Sequence, residues 1–504
     1  MSTFTRYALT ATTTLVAGAC VTTALTGYRQ ARKPLAKGLS LEGRSHPSGY
    51  TQLLADLTYQ QEGTTVSEQS IFAALEGLIE RAQDFLVLDL FLFNSDYDRT
   101  RGPEGGYPRL AERVTRALVN KRAQAPELPI IFITDPINTF YGSYSLPHLE
   151  QLADAGVQVV MTDLDALADS NPIYSAFYRT FLARLPELPA GLPNVLAPGR
   201  PRVSPNAYAR LFNFKANHRK LALSEREALV SSANPHDASA PNSNLGLLVT
   251  GPVLADILAS ERAIYTLSGG QGEVFDRFEQ VLTQGLRDRS GQSSEDHEPV
   301  RVQLVTEGAI RRVACQMVRA VEPGGEICLG MFYLAERSVV RELKAAAQRG
   351  VQVQALLDLN LDAFGRKKTG LPALPVAREL QGAGVQMRWY ATSGEQFHPK
   401  YLATYRKGEG GGIFELLAGS GNFTRRNICN YNLETDLRLV APIDAHLAQE
   451  FTAYWSLMWR NEPVAGRPAL LSLPYEGREE PGALRSALHK LVYRFQEATG
   501  LGTF

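Results

Sequence analysis

Net charge is the first thing this sequence lacks: over 504 residues, 52 basic side chains meet 52 acidic ones. Binding to nucleic acid through bulk charge therefore has no support. Cysteine is scarce. The four present, Cys20, Cys315, Cys328 and Cys429, contain no C-x-x-C pair, which argues against a disulfide scaffold and a thiolate zinc site. No G-x-x-x-x-G-K-S/T loop occurs, so nothing points to ATP-dependent chemistry. What is there is an ordinary globular composition, 44% hydrophobic and 21% charged, which excludes disorder, collagen and coiled coil as the main architecture. The length suits two core-forming units of about 150 to 250 residues each.

Residues 7–27 carry no charge, follow Arg6 and are closed by Arg29, Arg32 and Lys33, a length that suits one membrane span of about 20 residues. Seven of these 21 residues are threonine, and Ala17-Gly18-Ala19-Cys20 loosely fits a lipoprotein cleavage site. A secretory signal, a lipoprotein signal or a surface-lying segment therefore stands beside the expected anchor over residues 1–28.

After a lead-in over 29–66, amphipathic helices and apolar strands alternate, and the series occurs twice. In the first, a helix around 67–82 precedes the strand Phe85 to Phe93, then a helix near 108–122, Ile130 to Thr134 ending at Asp135, and Ala155-Gly-Val-Gln-Val-Val160. In the second, a helix near 306–320 precedes Ile327 to Leu334, then a helix near 337–349, Val351 to Leu357 ending at Asp358, and Ala383-Gly-Val-Gln-Met387. The matching Ala-Gly-Val-Gln tetrapeptides at equivalent places mark a duplication. The expectation is an α/β fold of two tandem α/β/α halves with largely parallel sheets, related by a pseudo-two-fold axis with the site between them. The boundaries are 67–285 for the first half with an insert over 164–212, a linker over 286–299, 300–461 for the second half, and a C-terminal extension over 462–504.

Each series ends in the same constellation. The first reads Asn217-His218-Arg219-Lys220 and then Ser231-Ser232-Ala233-Asn234; the second reads Phe397-His398-Pro399-Lys400 and then Gly419-Ser420-Gly421-Asn422. With so few histidines and lysines, chance gives roughly 0.2 His-x-Lys triplets in the whole chain. Residues two apart on a strand project from one face, so each imidazole and its ammonium point toward one pocket. An imidazole exchanges protons near neutral pH and attacks phosphorus; lysine and the Asn-bearing small-residue turn supply charge and donors for phosphate oxygens. A phosphodiester is what such a set of groups would hold.

These residues resemble the phospholipase D superfamily, whose signature is two copies of His-x-Lys-x4-Asp followed by a Gly/Ser-rich stretch ending in Asn. The resemblance runs from about Ser67 to about Asn461. It implies that one of His218 and His398 attacks phosphorus, with His218 first by the usual order, while the other protonates the leaving alcohol. It implies Lys220, Lys400, Asn234 and Asn422 as further catalytic residues, Ser232, Ser420 and Arg425 as substrate-binding residues, and no metal or other cofactor. A carboxylate placed like Glu434 hydrogen-bonds a catalytic imidazole in that family. The first copy has Gly246 at the matching distance after its Asn, so only one histidine is expected to gain a carboxylate. The family's motif Asp is Glu225 in the first copy and Tyr405 in the second.

Within that family one pocket serves lipid hydrolysis, phosphatidyl transfer and nucleic-acid cleavage. The apolar N-terminus and the neutral charge favour a phospholipid substrate at a bacterial inner membrane, bound by a monomer of two pseudo-symmetric halves, with nucleic acid disfavoured. The local basic stretch of Arg200, Arg202, Arg210, Lys215, Arg219 and Lys220 is what a nuclease would use. A catalytically inactive membrane-associated binding protein is the other alternative. His236 and Asp237 read as a solvated turn, Arg426 as a second candidate headgroup ligand beside Arg425, and Ile173, Phe177 and Phe181 as a helical face that packs on the core or dips into a bilayer.

Overall fold

Alternating side chains decide how the strands pack. In the strand Leu86–Leu90, Leu86, Leu88 and Leu90 join one hydrophobic cluster while Val87 joins another, so both faces of the sheet are covered. The computed structural model describes residues 3–99, 106–290, 299–363, 366–408, 411–477 and 482–502. The expected linker over 286–299 lies largely outside the described residues, as does His297.

The described residues form two large sheets. The eight-stranded sheet runs 64–68, 51–61, 244–249, 228–231, 220–224, 86–90, 130–134, 158–161. The nine-stranded sheet runs 46–47, 301–306, 435–442, 411–419, 400–408, 326–331, 352–357, 386–390, 472–474. From 51–61 onward in the first and 301–306 onward in the second, the strand orders coincide for seven strands. Residues 51–61, placed by sequence in the lead-in, thus supply a full strand, and residues 472–474 of the C-terminal extension supply another.

The expectation of largely parallel sheets needs correction. Only 86–90, 130–134 and 158–161, with their counterparts 326–331, 352–357 and 386–390, are parallel neighbours. Helices cross over between these strands, whereas strands 220–224, 228–231 and 244–249, and their counterparts 400–408, 411–419 and 435–442, pair antiparallel with their neighbours. Helices Ile71–Arg81, Leu110–Gln124 and Pro147–Asp154 cover one face of the first sheet, and Gly308–Ala320, Arg337–Gln348 and Ala373–Gln381 one face of the second. The remaining faces meet in one shared cluster with helices Val253–Leu267 and His446–Arg460. A single core therefore spans both halves, and this fixes their mutual position.

The expected anchor is not supported. Residues Thr3–Ala31 form one helix of 29 residues, but no described helix is long and apolar enough to cross a membrane. Its threonines supply β-branched bulk with a hydroxyl in place of apolar surface. The helix packs on the insert, where Gly27 approaches Ala176 so closely that an added Cβ would lie 3.0 Å from the Ala176 Cβ.

Candidate active site

The catalytic strands of the two halves reach across to each other. The His218 N–H donates to Leu433 O at 2.9 Å, and the His398 N–H donates to Ser243 O at 2.9 Å. These reciprocal bridges set the residue after Leu433 against His218 and the residue after Ser243 against His398. The carboxylate of Glu434 lies 3.0 Å from His218 Nδ1, and Asn244 Oδ1 lies 3.1 Å from His398 Nδ1. Each half thus orients the imidazole of the other.

Asn244 was missed by sequence, and Gly246 is not the counterpart of Glu434. Ser231 pairs with Gly246 in one sheet and Gly419 with Asp436 in the other, so Gly246 corresponds to Asp436 and Asn244 to Glu434. Ser232 donates to Asn244 Oδ1 at 3.0 Å, as Ser420 donates to Glu434 Oε2. The loop after the Asn is two residues shorter in the first half, so counting from Asn234 misplaces the register. The strings Asn244-Leu-Gly-Leu247 and Glu434-Thr-Asp-Leu437 would have revealed it.

This geometry also reassigns Ser232 and Ser420, expected to touch substrate: their hydroxyls hold the two orienting side chains. Gly419 is required here because an added Cβ would sit 2.2 Å from Thr435 O. Burial pushes Glu434 up to about 8, opposed by Lys220 and by donors from Ser420 and Asn427. Ser420, Asn427 and His218 Nδ1 all aim donors at this carboxyl, so we take the carboxylate as the working form. The Nδ1 proton then leaves Nε2 of His218 with a lone pair; Asn244 Oδ1, an acceptor only, fixes the same tautomer on His398.

Both imidazoles are buried, and both are held well below the usual histidine range. Desolvation is the main cause for each, followed by the charges of Lys220 and Lys400. Lys220 Nζ and Lys400 Nζ each donate to the carbonyl of their own histidine at 2.5 Å. Desolvation lowers Lys220 to about 7 and holds Lys400 well below the ordinary lysine value. Arg219, between His218 and Lys220, points the other way, bonding Glu261 at 2.7 Å and Glu307 at 2.6 Å, as the two-residue strand period requires.

One cavity is lined by His218, His398, Asn234 and Asn422. The Oδ1 atoms of both Asn residues are buried without a partner. Phe91 and Phe332, at equivalent strand ends, also line it; their ring centroids lie 4.8 Å and 5.2 Å from those of His218 and His398. Sequence reading had placed both phenylalanines in strands without a role. Asp135 and Asp358 accept from the N–H groups of Asn217 and Phe397 at 2.8 Å, fixing the approach to each catalytic strand. Burial raises them to about 7 and about 6.

Arg425 is tied off by Ser170 O at 3.0 Å and Tyr431 Oη at 2.9 Å and does not line this cavity; Arg426 does. His236 and Asp237 are buried rather than solvated. His236 bonds Ser239 Oγ at 3.0 Å and Asp96 O at 2.9 Å, and Asp237 accepts from Ala111 N at 3.1 Å. Glu225 accepts from Gln83 N at 3.1 Å, and Tyr405 Oη lies 2.8 Å from Thr452 Oγ1. Both motif-Asp positions therefore anchor the far ends of the catalytic strands, away from the cavity.

The cations of the basic stretch have partners within the chain, on its surface as well as in its interior. Lys215 pairs with Asp169 at 2.6 Å, Arg200 with Asp96 at 2.5 Å, Arg210 with Glu187, and Arg202 donates to Gly191 O at 2.6 Å.

Comparison with known proteins agrees with this architecture. Residues 319–459 match the family described as cardiolipin synthase, PLD-like domain. Phosphatidylserine synthase of Haemophilus influenzae Rd KW20 superposes with a TM-score of 0.52 at 12% identity, over 89% of this chain and 96% of that one. Polyphosphate kinase from Porphyromonas gingivalis aligns at TM-score 0.44 and 14% identity, over 89% of this chain and 53% of that one. The phospholipase D family member Nuc from Salmonella typhimurium aligns at 0.26 and 20%, over 32% and 95%. No curated protein sequence matches.

Proposed function

We propose that the chain, whose residues 319–459 match the family described as cardiolipin synthase, PLD-like domain, is a phospholipase D superfamily protein, a membrane-associated phosphodiesterase or phosphatidyltransferase acting on phospholipids through a covalent phosphohistidine. The observation that carries this reading is the pair of tautomer-fixed imidazoles on one cavity with Asn234 and Asn422, while Lys220 and Lys400 lie behind the wall and donate to the carbonyls of His218 and His398. In the first step His218 Nε2 forms a bond to phosphorus while the phosphorus–oxygen bond to one alcohol breaks. His398 Nε2–H gives its proton to that leaving oxygen. Lys220, Lys400, Asn234 and Asn422 bear the charge on the non-bridging oxygens. In the second step water or another alcohol attacks phosphorus, His398 takes its proton, and His218 is released. An anion in the cavity favours the protonated imidazole that the acid step needs, against the desolvation that disfavours it in the empty site.

A phospholipid is favoured over nucleic acid because Arg200, Arg210, Lys215 and Arg219, which a groove for a phosphate backbone would have used, are each paired with a carboxylate of the chain. The test incubates the full chain, and its His218→Ala and His398→Ala variants, with vesicles of labelled phosphatidylglycerol and, separately, with DNA. Phosphatidic acid or cardiolipin is expected from the lipid, reduced about 10²- to 10⁴-fold or more in both variants. Unchanged turnover in either variant would sink the mechanism, and cleavage of DNA alone would sink the substrate.

A further inference from the structure

Helix Ala483–Thr499, in the C-terminal extension, carries its largest apolar side chains on the wrong side for a helix that packs on a core. Its inner side is narrow: Tyr493, 1% exposed, donates its Oη to Ala335 O at 2.8 Å, and Ser486 and Glu497 are buried beside it. Diametrically opposite, Leu484, Leu488, Leu491 and Phe495 are 87%, 55%, 66% and 54% exposed. Their spacing of four, three and four residues puts them on one stripe about 17 Å long. Arg485 borders the stripe on one side and Arg494, which also pairs with Glu379 at 3.6 Å, on the other; Lys490 stands exposed beyond Arg494, and the only acidic residue of the helix, Glu497, is buried on the inner side.

Water does not hold four large apolar side chains in a row without cost, so the stripe needs a cover. We infer that this cover is an anionic phospholipid surface and that the helix lies in its interface. The bordering charges are all of one sign and complement anionic headgroups, which is the composition of an interfacial helix. A second copy of the chain is the poorer occupant. The stripe is shorter than two heptads, and pairing it with itself would bring cationic borders together.

The helix also leads to the catalytic cavity. At its end, Gly500 O and Gly502 O accept from Arg426 Nη2, and Arg426 lines that cavity. Gly500, with φ +74°, abuts Ser170, where a Cβ would lie 1.9 Å from the carbonyl oxygen. A bilayer held on the stripe is thereby coupled to the cavity wall.

The inference deepens the phospholipid reading and rests on it for its purpose, but it is tested apart from it. Full-length protein is floated with vesicles of phosphatidylcholine alone and of phosphatidylcholine mixed with phosphatidylglycerol. The parent is expected to prefer the mixed vesicles. Leu488→Asp with Leu491→Asp lowers its partition roughly tenfold or more, and Arg485→Glu with Lys490→Glu removes the preference for the anionic vesicles. Hydrolysis of water-soluble bis(p-nitrophenyl) phosphate stays unchanged in all of them, since none of these residues lines the cavity. Because the N-terminal helix also has exposed apolar residues, a second readout is local: Leu488→Trp adds emission that brominated lipids quench. Unchanged partition together with an unquenched tryptophan overturns the inference, as does a Leu488→Asp, Leu491→Asp variant that splits a dimer in sedimentation while still binding vesicles. Loss of partition in the variants of a parent that cleaves no phosphodiester leaves the docking intact and removes the catalytic reading instead.

Discussion

The two histidines sit in equivalent positions and receive unequal partners. His218, in the first half, is held by the carboxylate of Glu434, and His398, in the second, by the neutral amide of Asn244. The scaffolds around them match, from the serine that holds each acceptor to the aromatic ring beside each imidazole and the aspartate under each catalytic strand. Duplication kept the geometry and changed one charge. On the proposed mechanism that change separates the roles. Attack on phosphorus leaves His218 cationic, and a carboxylate at Nδ1 stabilises that cation; His398 must surrender a proton, and an amide partner leaves it the stronger acid.

The largest test of this contrast removes each partner in turn. Glu434→Gln keeps the shape but loses the charge and exchanges one acceptor oxygen for a donor NH2, and kcat is expected to fall about 10²- to 10⁴-fold. Asn244→Ala removes neutral hydrogen bonds only, those to His398, Ser232 and Asn242 O, and is expected to cost roughly three- to tenfold. Steady-state kinetics on one phosphodiester substrate compares them; equal losses would break the division of roles.

A smaller effect comes from making the halves alike. Asn244→Asp places a carboxylate against an imidazole that otherwise faces Lys400, Lys220 and His218, all of which depress it. An opposite charge favours the protonated ring, so the folded-state pKa of His398 rises. The alkaline limb of kcat is then expected to move up by about one pH unit or more, with the rate at neutral pH changing less than about tenfold. A pH–rate profile reads this directly. An unmoved limb would mean that His398 is not the titrating acid.

Sequence reading reached the repeated strands and helices because their apolar periods are strong. It found the His-x-Lys pairs because those residue types are rare together, and singled out Glu434 through the resemblance to the phospholipase D superfamily. It missed Asn244 because a two-residue length difference separates Ser232–Asn244 from Ser420–Glu434, and sequence counting had no sheet register to correct it. The strand Thr51–Gln61 mixes polar and apolar residues without clean alternation, so no period announced it. Arg425 and Arg426 are adjacent and chemically identical; only the backbone turn decides that the second faces the cavity. Phe91 and Phe332 each end a run of apolar residues whose other members are core, and nothing in composition separates a wall of the site from packing.

The smallest expected effects lie at the far ends of the catalytic strands, where the halves differ again. Glu225 is buried and accepts from the N–H groups of Gln83 at 3.1 Å and Asp84 at 3.3 Å, tying its strand to the turn after helix Ile71–Arg81. Tyr405 makes a single hydroxyl contact with Thr452 at 2.8 Å beside the Phe414 ring. Removing the first leaves two backbone donors without their acceptor, so Glu225→Ala is expected to cost about 1 to 3 kcal/mol of stability; Tyr405→Phe loses one hydrogen bond and about 0.5 to 1.5 kcal/mol. Neither residue reaches the cavity, so kcat is expected to stay within about twofold of the parent in both, at temperatures where the variants remain folded. Urea melts measured beside kcat separate the two quantities. A catalytic loss in Glu225→Ala larger than that in Tyr405→Phe, at equal folded fraction, would give the motif position in the first half a role in chemistry that its absence from the cavity wall denies.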